Sequence, residues 1–134
     1  MADLTRAAMH HDHKAWRSDN DMWRCDINAW QEELKKAKAD LKRIESALNE
    51  HEKALQNHAA AIRLREQDIG GHEHALARHE QGATAGELAS LAKAHATEAA
   101  KHAQQRESHE RIKRHHHNVV AHLNHVCQAL SAAP

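Results

Sequence analysis

The sequence predicts an all-α protein: a long antiparallel two-helix coiled-coil hairpin, with a short N-terminal helix folded back on its open end. Three observations carry this expectation. The chain has no Phe or Tyr, one Pro and four Gly, and is dominated by Ala, Leu, Glu, Lys, Gln and His, a composition suited to elongated helices rather than layered folds. Apolar and unusual residues recur every seven positions from Met9 to His79, the signature of a coiled-coil seam. A single sharp turn signal lies near residue 82 and separates two such runs.

The elements follow in order within one domain, 1–134. Ser18, Asp19 and Asn20 are capping and turn residues, so a short helix is predicted over 3–17. Folding back, it brings Leu4, Met9 and Trp16 onto the apolar end of the next helix. That helix is predicted over 20–81. One of its seam columns holds Ile27, Leu34, Leu41, Leu48, Leu55, Ile62, Ile69 and Leu76; the other runs through Trp16, Trp23, Trp30, Ala37, Ile44, His51, His58, Arg65, His72 and His79. Gly70 and Gly71 cost a helix interior about 2 kcal/mol relative to alanine. The heptad phase persists through Ile69, His72 and Leu76, so the helix is expected to continue there, with a kink allowed at 70–71.

Residues 82–85 are predicted to turn. Gly82 suits the left-handed position that ends a helix, and Thr84 with Glu87 forms a capping box that opens the next one over 86–132. The return helix repeats Leu88, His95, His102, His109, His116, Leu123 and Leu130 in one column, and Leu91, Glu98, Gln105, Ile112, Val119 and Val126 in the other. Folding at 83 and 84 pairs seam residues whose numbers sum to 167: Leu76 with Leu91, Leu55 with Ile112, Leu48 with Val119, Ile44 with Leu123 and Leu41 with Val126. Opposite charges, Asp68 near Lys101 and Glu52 near Lys113, fall on the flanks of the same register.

That register also sets histidine against histidine in three layers: His51 with His116, His58 with His109, and His72 with His95. Arg65 then faces His102, with Glu98 within a turn of it for an ion pair, and His79 faces Leu88. Of the ten histidines between residues 51 and 116, eight lie on the seam, although seam positions make up two in every seven. Paired neutral imidazoles are good ligands for zinc, copper, nickel or cobalt. Histidines seven apart on one helix are separated by about 10.5 Å, so each layer needs a ligand from its flanks. The leading candidate site is His72 and His95 with Glu73 and Glu98; the second is His51 and His116 with His115 and with Glu52, for which Lys113 competes; the third, His58 and His109, needs a second subunit. A metal-binding role in storage, buffering or sensing is the leading functional expectation. The alternative is a scaffold or adaptor whose seam histidines set register or sense pH.

Other classes are disfavoured. Lys and Arg balance Asp and Glu, 19 against 19, so no bulk charge draws nucleic acid or a membrane. No phosphate loop, haem attachment or calcium loop is present, and an enzyme is not expected. The N-terminus carries no signal-like apolar stretch and no segment approaches a membrane span, so a cytoplasmic chain is expected, with Cys25 and Cys127 too far apart for a disulfide. Trp16, Trp23 and Trp30 mark an apolar end that needs covering, by the folded-back helix or a protein partner. Flanking alanines such as Ala54 and Ala61 widen the stripe beyond a two-stranded seam, and a homodimer forming a four-helix bundle is a further expectation.

Overall fold

The computed structural model describes residues 2–82, 84–132 and 134, with side chains from residue 5 onward. Two helices account for it, α1 over Ala2–Glu80 and α2 over Ala85–Ser131. Among the described residues there is no strand. No described helix is both long and apolar enough to cross a membrane. Where the sequence suggests one domain, Cα proximity divides the chain into two units, Met1–Glu50 and His51–Pro134.

In Met1–Glu50 the expected separate helix over 3–17 is not formed, because α1 passes through Ser18, Asp19 and Asn20 without interruption. The physical reason is the modest helical cost of these residues, about 0.5 kcal/mol each relative to alanine. Breaking the helix forfeits several backbone hydrogen bonds and orders a turn. Trp16, Trp23 and Trp30 stay 55–57% exposed, so no folded-back segment covers them. The expected role of Leu4 lies outside the described side chains, and Ala83 of the turn outside the described residues.

In His51–Pro134 the last part of α1 packs against α2. Paired residues descend on α2 as they ascend on α1, from His51 with His116 to His72 with His95, so the two segments run in opposite directions. The burial pattern repeats every seven residues: Leu91, Glu98, Gln105, Ile112 and Val119 are half-buried amid mostly exposed neighbours. No described residue of either unit is fully buried. This is a seam between two helices without a third layer.

The turn is built as its residues dictate. Gly82 has φ +120°, a region that a side chain disfavours. Backbone bonds from the Gln81 amide to the Arg78 carbonyl (3.1 Å) and from the Gly82 amide to the His79 carbonyl (3.0 Å) close the end of α1. Thr84 caps α2, its hydroxyl accepting from the Glu87 amide at 3.3 Å, which satisfies one of the orphan donors at the helix start. Across Gly70 and Gly71 the helix continues; the helix formers on either side and the seam contact at His72 offset the glycine cost.

Candidate functional site: a histidine-paired helical seam

Three layers share one geometry. His51 Nε2 lies 3.1 Å from His116 Nδ1, His58 Nε2 lies 3.0 Å from His109 Nδ1, and His72 Nε2 lies 3.1 Å from His95 Nδ1. The α1 ring always offers Nε2 and the α2 ring Nδ1. Ring centroids are 5.1–5.3 Å apart, with planes inclined by 24–31°. The repetition follows from the register: residues at one heptad position meet partners at one heptad position, so side-chain reach and approach angle recur.

At 3.0–3.1 Å each pair is within direct N–H···N hydrogen-bond range. A neutral imidazole is a donor at one nitrogen and an acceptor at the other, so one proton between the facing nitrogens completes the bond. A net hydrogen bond of this kind contributes about 1 kcal/mol. The facing nitrogens are also near the ~3.3 Å separation that two nitrogens take on a tetrahedral ion with bonds of 2.0–2.1 Å. The same layer therefore suits a shared proton or, after small ring rotations, a shared cation.

Between the second and third layers sits an ion pair. Arg65 and Glu98 are in direct contact through Nη1 and a carboxylate oxygen, and Arg65 Nη2 also donates to the Glu98 backbone carbonyl at 3.1 Å. Their side chains are only 11% and 20% exposed, so screening is weaker than for a surface pair. Asp68 approaches Arg65 at 3.8 Å and Lys101 approaches Glu98 at 3.6 Å. Among the described residues, Arg65 Nε is buried without a hydrogen-bond partner.

The surroundings of the three layers differ. Beside His72 and His95 an open cleft of about 400 Å³ is lined in part by Glu73, Glu98, His102 and Arg106, but the Glu98 carboxylate is engaged by Arg65 and Lys101. Beside His51 and His116, the His115 ring lies 5.1 Å from His51 and the His117 ring 5.8 Å from His116. The His51 end is thus an imidazole cluster. The contacts that define the His58 and His109 layer are those of its own two rings. Among the described residues, no group of three or more His, Cys, Asp or Glu side chains is arranged to hold a metal ion.

The register arithmetic places all three histidine pairs and brings Glu98 within a turn of Arg65. It does not single out His117, which as a neighbour of His116 on an exposed flank carries no heptad signal. Cys25 and Cys127 are exposed free thiols. No protein-family model matches the chain, and no curated protein or solved structure shows significant similarity to it.

Proposed function

We propose that this chain is a non-enzymatic coiled-coil scaffold, an antiparallel hairpin whose polar seam fixes how its two helices pair and whose tryptophan-bearing segment docks a protein. The observation that carries the reading is the repeated Nε2···Nδ1 contact at 3.0–3.1 Å in all three histidine layers. Each layer is complete with a single proton and needs no further ligand. Sliding α2 by one heptad along α1 still sets His58 against His102 and His51 against His109, but it puts His72 against Leu88 and takes Arg65 away from Glu98, so the ion pair and the His72 layer discriminate against the shifted register. Polar seams of this kind specify alignment at some cost in stability, which is their best-attested use.

The test is a double-mutant cycle on His58 and His109, read by thermal and denaturant unfolding. The expected coupling is about 1 kcal/mol. Additive single effects would remove the seam from the argument.

A second reading, metal binding for storage, buffering or sensing, is favoured by one observation: the third imidazole, His115, next to the His51 and His116 pair. Three neutral imidazoles form a ligand set suited to zinc, copper, nickel or cobalt, and the chain then holds the ion between α1 and α2. Here the order of candidate sites changes. His51, His116 and His115 come ahead of His72, His95, Glu73 and Glu98, because Glu98 already answers Arg65; His58 and His109 still need a second subunit. Zinc added to the untagged chain should raise its melting temperature, and His51→Ala with His116→Ala should abolish the rise. A melting temperature indifferent to excess zinc ends this reading and leaves the scaffold in place.

A further inference from the structure

The tryptophan stripe is the largest feature that the seam does not use. Met9, Trp16, Trp23 and Trp30 fill one seam column at seven-residue spacing, and Ile27 and Leu34 the other; all six are 47–60% exposed. Aromatic side chains present 150–250 Å² each, so the stripe exposes on the order of 700 Å² of largely apolar surface. That exceeds the 300–600 Å² of the largest patch on a typical monomer. Two such stripes together reach about 1,400 Å², within the range of specific protein interfaces.

The flanks say what covers it. On one side of the stripe stand Asp12, Asp19, Asp26 and Glu33, each seven residues from the last and all acidic; on the other stand Arg17, Arg24, Gln31 and Lys38. In heptad terms these are the g and e positions, which choose the partner and orientation of a coiled coil. In a parallel pair in register, each g position faces the e position five residues further along the other chain. Asp12 then meets Arg17 of the second copy, Asp19 meets Arg24, Asp26 meets Gln31 and Glu33 meets Lys38. By symmetry this makes six ion pairs. In an antiparallel pair g faces g and e faces e, so acid meets acid and base meets base. The charges of this stripe are complementary to themselves in one orientation.

The stripe's interior agrees. Asn20 occupies a seam position between Trp16 and Trp23. In a parallel, in-register pair it meets Asn20 of the second copy, amide to amide; a shift of one heptad sets it against His13 or Ile27 and leaves an amide unpaired. A lone seam asparagine is a recognised determinant of register and of two strands over more. The present partner of Arg24, Asp21 at 2.9 Å, is an exposed pair with both side chains over 70% accessible, and holds Arg24 only weakly.

We infer that the stripe from Met9 to Leu34 is a self-association surface, which joins two copies of this chain as a parallel, in-register coiled coil. The inference rests on the reading of this segment as a protein-docking surface and names its occupant. The experiment uses the full untagged chain in sedimentation equilibrium. The wild type should run at twice 15.1 kDa. Asp12→Lys, Asp19→Lys and Glu33→Lys together, or Arg17→Glu, Arg24→Glu and Lys38→Glu together, should each raise the dissociation constant by roughly 100-fold or more. An equimolar mixture of the two variants should recover association as a heterodimer. Asn20→Cys, with Cys25 and Cys127 replaced by Ser, should form an interchain disulfide in a glutathione redox buffer.

A wild type that stays monomeric, assembles to trimers or larger, or associates unchanged in both charge variants overturns the inference, as does an Asn20→Cys chain that fails to crosslink. Circular dichroism of each variant separates lost association from lost helix: a variant that unfolds is replaced by its single substitutions, of which Asp19→Lys and Arg24→Glu must weaken association alone and restore it when mixed. The seam test is independent. A monomer with intact His58–His109 coupling discards the second copy and keeps the scaffold, whereas a dimer without that coupling does the reverse.

Discussion

Two ring nitrogens 3.0 Å apart at His58 and His109 require one proton between them, and that requirement sets what substitution does. Truncating one ring, as in His58→Ala, leaves the other nitrogen without its partner and should cost about 1 kcal/mol in unfolding free energy. Replacing both rings with leucine should be neutral or stabilising, because paired polar groups exchanged for apolar ones of similar size lose no net partner. A double leucine variant that melts well below the wild type would contradict the hydrogen-bonded description. At Glu98 the expectation is harsher. Glu98→Gln leaves Arg65, 11% exposed, with Asp68 at 3.8 Å as its remaining carboxylate contact and should lose about 2 kcal/mol, measured by urea unfolding; a loss no greater than a surface pair gives would show the contact to be incidental. The facing of the histidines was legible in the sequence because both helices keep one heptad phase. The register also put Glu98 within a turn of Arg65, but whether Glu98 pairs with Arg65 or stays free as a ligand beside His72 and His95 was not legible, since only the side-chain conformations decide.

At the scale of the element, the glycines give opposite expectations. Gly70 and Gly71 lie inside α1, and a Cβ added at either meets nothing within 4 Å. Gly70→Ala with Gly71→Ala should therefore raise stability by about 1–2 kcal/mol, through helix propensity and a less flexible unfolded chain. Gly82 lies at φ +120°, so Gly82→Ala should lower stability by about 1 kcal/mol even though space is free. Thr84→Ala removes the acceptor of the Glu87 amide and should cost about 1 kcal/mol. Thermal melts of the four substitutions order them, and equal signs for Gly70 and Gly82 would refute the account. The turn was legible because Gly82, Thr84 and Glu87 each answer a local backbone need. The break expected at 18–20 was not real, because the same residue types that cap helices also pass through one at small cost. Local chemistry permits a cap, and only a competing contact makes the chain use it.

For the whole molecule the governing quantity is charge. Lys and Arg balance Asp and Glu, and 16 histidines are added to that balance. A layer whose facing nitrogens share one proton tolerates a neutral or singly charged pair, but two charged rings place a proton on both facing nitrogens and break the bond.

Periodicity alone determined that the chain is helical, where its turn falls, and which histidines face each other across the His51–Pro134 unit, because a seven-residue repeat and a capping sequence constrain the backbone locally and the register follows by counting. Two things needed the tertiary structure. One was the continuity of α1 from Ala2 to Glu80, a balance of small propensities against contacts that do not form. The other was the state of the ligand candidates: Glu98 is drawn to Arg65 while His115 turns toward His51, and side-chain choices of that kind depend on every neighbour within reach rather than on position in the repeat.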